Sequence, residues 1–468
     1  MATDLEIRAF DPADAKAALA QLPQSPAVFA LYGAESKAEP YIGRTPNLQA
    51  RLARLLQPSP KHPRRLQLAG RVRRIEWRLT GSEFESLLVQ FELLQQVYGP
   101  KSLERMHLRA PAFVRFLGSN AYPRITVTHR PSQREADRSY GPFASRASAE
   151  RYAEEALKLF LLRRCTEDLD PHPSHPGCVY SEMKMCLAPC YKGCADERYA
   201  EEAAAVQQFL ATRGASRLVT LRAQREEASA NLAFESAAAI HAQIARVESV
   251  RALAPELVRP LSQLRAVLLQ ASAAPGEVAV FLFENGRLRG PARFSTLGMR
   301  IQNEQSGSSS LFAHPVAIEP IPEAAAAEQT EKTPASSKGA AEGTGFSPCI
   351  NPAISSGALA PEGGLSEDAL APQDRPEGAS NAPARAARNV LEARMEAALA
   401  ALASPSEAPS AILRQGHLAL LKRWYYRPEA RRAGEIFFPD AEGAWPVKAL
   451  LRGAGRIAAK MLAGGHRD

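Results

Sequence analysis

The spacing of apolar residues changes along the chain and divides it into segments of different type. Between residues 20 and 130, short alternating runs mix with apolar residues at helical spacing, which predicts a small α/β unit. The predicted strands are 27–32, 41–43, 74–79 and 121–130, and the predicted helices are 47–56 and the run that starts at Phe84. Ser82 and Glu85 fit a capping box at the start of the second helix.

Helical periodicity dominates residues 196–254, where a break near Gly214 separates the helices and the last pair predicts an antiparallel hairpin. Residues 264–298 alternate around Asn285-Gly286, a dipeptide that favours the tight turn of a β-hairpin. After residue 385 the helical pattern returns, and one short strand is predicted at 435–438. The stretch from Val447 onward is basic and amphipathic.

Residues 314–385 have no apolar periodicity and consist largely of Ala, Pro, Glu, Ser and Gly, which predicts a disordered linker. The chain as a whole is therefore of the α/β + α class. We predict six segments in order: an α/β unit at 20–130, a cysteine-cluster segment at 131–200, a helical hairpin at 201–254, a β-hairpin unit at 264–313, the linker at 314–385 and a C-terminal helical segment at 386–468.

Charge and composition narrow the classes of protein that fit this chain. Lys and Arg total 58 against 50 Asp and Glu. The net charge of +8 permits nucleic-acid binding without requiring it, since an arginine-rich solvated surface has the same balance. No run of about 18 apolar residues predicts a membrane span, and the acidic, mixed N-terminus does not resemble a secretory signal. We therefore expect a cytoplasmic protein whose six cysteines stay reduced or bind metal.

Five of the six cysteines fall within 30 residues of one another. Cys165, Cys178, Cys186 and Cys190 have the spacing C-x12-C-x7-C-x3-C, and Cys194 follows after three more residues. Four thiolates fill a tetrahedral zinc site or hold an iron–sulfur cluster, and the spacing alone does not choose between them. His172 and His175 are alternative ligands nearby. Buried free thiols are the other interpretation, because cysteine also packs as a small apolar side chain.

Several motifs, read in chain order, resemble the UvrC family of DNA excision-repair nuclease subunits, which carry a GIY-YIG nuclease domain. The stretches similar to the GIY-YIG motif and its following helix are 26–29, 41–44 and 47–52. Residues 139–143 and 162–165 resemble the segment that leads into the family's cysteine region. Residues 185–190, Met-Cys-Leu-Ala-Pro-Cys, are similar to its cysteine signature.

Two further stretches extend the resemblance toward the C-terminus. Residues 228–244 resemble the UVR motif, which pairs with UvrB in that family. Residues 408–438 are similar to the stretch just before the family's RNase H-like domain. The 30 residues that follow are too few to build that domain, so we expect the second nuclease activity to be absent.

The resemblance implies a GIY-YIG active site with Tyr41 as the second motif tyrosine, Arg51 as the catalytic arginine and Arg44 in place of the usual lysine. Phe29 stands where the family has its first tyrosine, and Gln90 where it has the glutamate that binds Mg²⁺ or Mn²⁺. A phenylalanine cannot relay a proton, and a neutral amide is a poorer ligand for a hard cation than a carboxylate. We therefore expect strand cleavage to be impaired, while the arginines still hold a DNA backbone.

The resemblance also implies a cofactor and a partner. In the family, four cysteines hold a 4Fe–4S cluster, which here assigns Cys165, Cys178, Cys186 and Cys190 as ligands and leaves Cys194 as an extra. Phe234, Glu235 and Ile240 of the UVR-type hairpin are the expected contacts with a UvrB-like protein. His241-Ala242, however, stands where the family has an Arg-Asp pair that forms ion pairs with the partner.

Three functions remain open at this point. The first is a DNA-binding adaptor of nucleotide excision repair with an impaired GIY-YIG site. The second is an active, metal-dependent endonuclease that makes a single incision. The third is an iron–sulfur redox sensor with no role on DNA. Phe29 and Gln90 favour the first function over the second, and Tyr41, Arg44 and Arg51 favour either over the third.

Overall fold

The structure is a computed structural model that describes residues 5–35, 38–57, 68, 70–299, 382–403 and 409–464. The predicted linker lies outside the described residues up to residue 381, and the helix after it begins at Ala382, four residues before the predicted boundary. No helix among the described residues is long and apolar enough to cross a membrane.

The first unit is a four-stranded antiparallel sheet with helices on both faces. Its elements are β1 (Glu6–Ala9), α1 (Ala15–Ala20), β2 (Ala27–Gly33), β3 (Tyr41–Thr45), α2 (Leu48–Leu56), β4 (Val72–Leu79), α3 (Glu83–Tyr98) and α4 (Ser102–Arg105). The strand order is β1-β4-β2-β3. Strand β1 lies before the predicted unit. Its sequence Glu-Ile-Arg-Ala alternates polar and apolar residues, but the run has only four residues and stays largely exposed, so the pattern is too short to predict a strand.

The two faces of the first sheet bind different helices, since successive side chains of a strand point to opposite sides. Phe29 on β2 packs with Leu48 and Leu52 of α2. Val28, its neighbour in sequence, packs on the other face with Val89 and Leu93 of α3. Strand β3 forms the edge of this sheet. The two helices that carry the candidate nuclease residues therefore lie on opposite faces.

The second unit combines a four-stranded sheet with a bundle of helices. Its elements are β5 (Ala112–Leu117), β6 (Arg124–Thr128), β7 (Ser139–Phe143), α5 (Arg146–Leu157), α6 (Val179–Glu182), α7 (Asp196–Ala211), α8 (Ala215–Ala230), α9 (Phe234–Ala252) and β8 (Arg259–Pro260). The strand order is β6-β5-β7-β8. The sequence places the residues of β5 and β6 in the first unit, which it extends to residue 130, but β6 pairs with β5 and β5 pairs with β7 here. The reason is packing: Val114 and Phe116 of β5 join the core of α5, α7 and the hairpin.

The third unit is a sheet completed by a strand from far along the chain. Its elements are β9 (Ala266–Ala271), β10 (Glu277–Glu284), β11 (Arg287–Ser295), α10 (Ala382–Ala403), α11 (Ala411–Tyr425), β12 (Glu435–Phe437) and α12 (Val447–Gly464). Asn285 and Gly286 both have positive φ, as the predicted tight turn requires. Strand β12 pairs antiparallel with β9, so the predicted β-hairpin unit and the C-terminal segment form one sheet of order β11-β10-β9-β12.

The third sheet is buried on both faces. Leu268 and Phe281 point toward α3 and α11, while Val267, Leu269 and Val280 pack against α10 and α12. Helix α3 thus lies between the first and third sheets, and its nearly continuous apolar sequence reflects burial on both sides.

Candidate functional site

Tyr41 and Arg51 form one contact of the candidate nuclease site. The Nη2 atom of Arg51 donates a hydrogen bond of 3.2 Å to the hydroxyl of Tyr41. Helix α2 presents Arg51 here because the Asn47 side chain caps its first turn and Leu48 and Leu52 bury the opposite face. Both residues are half-buried, so the guanidinium is fixed yet open to a ligand.

Phe29 fills the place beside this pair without contributing a polar group. Its side chain is fully buried, and its ring centroid lies 6.1 Å from that of Tyr41. A Cβ on Gly43 would approach the Phe29 ring to 2.8 Å, so the ring packs directly against the backbone of β3. Phe29 therefore acts as a core residue of the first sheet.

Arg44 lies on the face of the sheet opposite Tyr41 and Arg51. It lies three positions after Tyr41 along β3, which places the two side chains on opposite sides. Its Nη1 is 3.4 Å from Oε1 of Glu83 in the first turn of α3. Glu83 in turn accepts two hydrogen bonds of 2.8 Å from Arg427, which follows α11. Sequence patterns gave no indication of this contact with Arg427, because 344 residues separate the partners.

Besides Glu83, helix α3 carries Gln90 and two further carboxylates, Glu85 and Glu92. Gln90 is half-buried. Burial raises the pKa of Glu85 and of Glu92, and Arg78 opposes the shift in both. The predicted capping box is only half formed: Ser82 accepts from the Glu85 backbone, but Glu85 accepts from the Gly81 N–H at 2.9 Å. Among the residues that the structure describes, no three His, Cys, Asp or Glu side chains are placed to hold one metal ion.

The cysteine segment lies between α5 and α7. Cys178 precedes the short helix α6, and its backbone N–H donates to Ser181 at 2.9 Å. Ala188 has a left-handed backbone conformation, which turns the chain before Pro189 and Cys190. Arg163 is almost completely buried and its Nη1 lies 3.4 Å from the sulfur of Cys165. The loop is thus anchored from the core side.

The electrostatic neighbours of the thiols divide the five cysteines into four and one. Burial raises the pKa of Cys186, and its nearby thiols Cys178, Cys190 and Cys165 raise it further. Burial likewise raises the pKa of Cys190, and so do Cys178 and Cys165. For Cys194 the causes are burial and Asp196 instead. Cys165, Cys178 and Cys190 are therefore near enough to Cys186 to affect it electrostatically, although among the described residues no three of these thiols are placed to hold one metal ion. Cys194 has a different charged neighbour.

The two histidines of this segment hydrogen-bond within their own loop. Nδ1 of His172 lies 2.6 Å from the hydroxyl of Ser174. Nδ1 of His175 accepts from the Gly177 N–H at 3.0 Å. Each ring therefore has one nitrogen engaged by a local partner.

Helices α8 and α9 form the predicted hairpin, with a buried base and an exposed tip. Leu218, Leu221 and Val247 belong to the core of the second unit. At the tip, Leu232 is 72% exposed and Phe234 is 66% exposed. Glu235 is also exposed, whereas Ile240 is half-buried and packs against the core. Leu232 and Phe234 thus form a small exposed apolar patch at the tip, which is a candidate contact surface.

Comparisons with known proteins match this part of the chain. Residues 113–209 match the family model of the UvrC/Cho excinuclease middle domain, and residues 215–250 match that of the UvrB/uvrC motif. The chain is 29% identical over 242 residues to the UvrABC system protein C of Alcanivorax borkumensis, covering 52% of this chain and 39% of that protein. The protein of the same name from Pseudomonas syringae is 30% identical over 242 residues, with the same coverage.

The alignments thus span about two fifths of the length of these curated relatives. No solved structure matches the chain. The residues that the two family models match begin in β5 and end within α9, so they include the cysteine segment and the whole hairpin tip.

Proposed function

We propose that the chain, which is similar to UvrC proteins over its middle domain and its UvrB/uvrC motif, acts in nucleotide excision repair as a DNA-binding adaptor. The observation that carries the proposal is the middle-domain core that continues into a hairpin with an exposed apolar tip. Such a tip is suited to a UvrB-like partner, and the net charge of +8 is suited to DNA.

We propose that strand cleavage at the GIY-YIG-like site is impaired. Phe29 offers no hydroxyl, and Gln90 offers a neutral amide where the family has a carboxylate. Arg51 retains a positive charge fixed beside Tyr41, a geometry that suits a phosphate contact. An active endonuclease that makes one incision is the second candidate, and the Tyr41–Arg51 hydrogen bond is the observation that favours it.

A nicking assay separates the two candidates. Purified protein is incubated with supercoiled and lesion-bearing DNA in Mg²⁺ or Mn²⁺, beside the variant Arg51→Ala. We expect binding without nicking, and roughly 10-fold weaker binding for the variant, since a charged hydrogen bond to phosphate is lost. Nicking by the natural chain that disappears in Arg51→Ala would instead establish a working nuclease.

We also propose that Cys165, Cys178, Cys186 and Cys190 hold a 4Fe–4S cluster. Support comes from the electrostatic effect of Cys165, Cys178 and Cys190 on Cys186 and from the separate surroundings of Cys194. A bound cluster would supply soft cationic charge that keeps these thiols ionised and ties the loop to the core. The similarity to UvrC proteins favours a role on DNA over a redox sensor.

The variants Cys186→Ser and Cys194→Ser test this assignment. After anaerobic purification, Cys186→Ser should lose most of the iron, the acid-labile sulfide and the visible absorbance, because one of four ligands is removed. Cys194→Ser should keep all three signals. Zinc in place of iron would support the tetrahedral zinc site, and equal loss in both variants would contradict the assignment of ligands.

A further inference from the structure

Three arginines gather around the single carboxylate of Glu83. Both terminal nitrogens of Arg427 lie 2.8 Å from its two oxygens, and Nη1 of Arg44 lies 3.4 Å from Oε1. Arg423 is near enough to affect the same carboxylate electrostatically. The residues come from the end of β3, the first turn of α3 and the end of α11. Three positive groups against one negative group leave an excess of positive charge at this place.

The cluster is open to solvent but held in position. The side chains of Arg44, Glu83 and Arg427 are 37%, 44% and 27% exposed. Below them, the Trp424 ring packs edge-on against Phe84, with 5.8 Å between centroids. Phe84 directly follows Glu83, and Trp424 lies three positions before Arg427. The contact between the two rings therefore brings Arg427 close to Glu83.

Gly416 allows this close approach of the two helices. A Cβ at Gly416 would overlap the ring of Phe91 on α3. The helices therefore meet with little room to slide, and Arg427 is preorganised before any ligand arrives.

The charge extends along the chain after α11. Between residues 422 and 432 there are five basic residues and one acidic residue. Arg432 lies over the rings of Trp424 and Tyr425, 5.5 Å from each centroid. A basic segment interleaved with aromatic rings and joined to a rigid arginine cluster suits a polyanion better than a single small anion.

Glu83 occupies this cluster as an anion of the protein's own. Hydrogen bonds from Arg427 lower the pKa of Glu83 to about 2, so the carboxylate stays ionised near neutral pH. The two parallel bonds from Arg427 are the arrangement that a guanidinium also forms with two phosphate oxygens. A phosphate group would therefore compete with Glu83 for the same donors.

We infer that Arg44, Arg423 and Arg427 form a binding site for the DNA phosphate backbone, in which Glu83 occupies the anion position until DNA displaces it. The inference rests on the proposed DNA-binding function and deepens it by locating a contact surface outside the matched domains. Glu83 weakens binding to any DNA, so the site adds affinity only where other contacts hold the duplex.

The test uses the full chain and a fluorescent duplex, titrated at several salt concentrations. Glu83→Gln should bind roughly 10-fold more tightly than the natural chain, with a salt slope steeper by about one phosphate contact. Glu150→Gln is the matched control. Glu150 is similarly exposed (42%), and it accepts an ion pair of 2.6 Å from Arg146. That control removes one negative charge at a different place and should change the affinity for DNA little.

A double variant examines whether the gain comes from this cluster. Arg427→Gln in the Glu83→Gln background should remove most of the gain in DNA affinity. Arg44→Gln together with Arg423→Gln in the same background should remove that gain without altering α3. If Glu83→Gln binds no more tightly than Glu150→Gln, the site is overturned while salt-dependent binding by the natural chain still supports the proposed function. If the natural chain has no salt-dependent affinity for DNA, both fail.

Discussion

Replacing Phe234 by serine should weaken binding of a UvrB-like partner by roughly 30- to 1,000-fold, as for a central aromatic residue of an interface. Phe234 is 66% exposed at the hairpin tip and makes no contribution to the core clusters of the described residues. The variant should therefore keep the folding stability of the natural chain. Isothermal titration against the UvrB-like protein of the same organism measures the affinity, and thermal unfolding measures the stability.

Val219→Ser is the matched control for this experiment. Val219 is 69% exposed and lies near the start of α8, at the other end of the hairpin from the tip. It should bind the partner as the natural chain does. Equal weakening by both substitutions would place the contact along the whole hairpin, and no weakening by either would rule out the tip as the docking surface.

Replacing His417 by asparagine should remove a large acid sensitivity of folding. His417 is fully buried on α11, and burial, followed by the nearby Arg287, lowers its pKa to about 3. Its Nδ1 accepts a hydrogen bond from the Leu288 N–H at 3.0 Å. Nε2 lacks a hydrogen-bond partner among the described residues, and the ring lies edge-on to Phe91, 5.6 Å away. The site thus favours the neutral ring.

The direction of the pH effect follows from the protonation of His417 in the folded and in the unfolded chain. The unfolded chain takes up a proton as pH falls below about 6.5, whereas the folded chain resists until about pH 3. Stability is thus fully present above pH 6.5 and falls by about 1.4 kcal/mol per pH unit within that window. Asparagine keeps an acceptor for Leu288 and does not titrate, so the difference in slope isolates His417.

Urea unfolding at several values between pH 7 and pH 4.5 measures this slope. His241→Asn serves as the control, because His241 is exposed on α9. That control should keep the slope of the natural chain. A His417→Asn protein with the same slope as the natural chain would show that another buried group controls acid unfolding.

Local signals predicted most elements of this fold, and long-range pairing accounts for the rest. The Asn285-Gly286 turn and the caps at Asn47 and Ser82 are encoded by neighbouring residues, and the structure contains all three. Strand β12 has only three residues, and its partner β9 lies in a distant part of the sequence. Pairing of that kind depends on shared burial, which a local pattern does not record.

The candidate sites show the same division. Alternation along β3 already implies that Tyr41 and Arg44 point to opposite faces, so their separation was readable from the sequence. The ion pair between Glu83 and Arg427 could not be predicted from the sequence, because it depends on the packing of α11 against α3. The cluster ligands and the nuclease roles stay predictions, supported by the electrostatic effect of three thiols on Cys186 and by the Tyr41–Arg51 contact.

The distant origin of β12 affects how the chain emerges from the ribosome. Gln270 on β9 donates to the carbonyl of Ala433, 163 residues later, just before β12 begins. At about 5–20 residues per second, β9 is made roughly 10–30 s before the strand that covers its edge. During that interval the nascent chain presents an apolar, unpaired edge, which is the form in which a chaperone would capture it or a second nascent chain would join it.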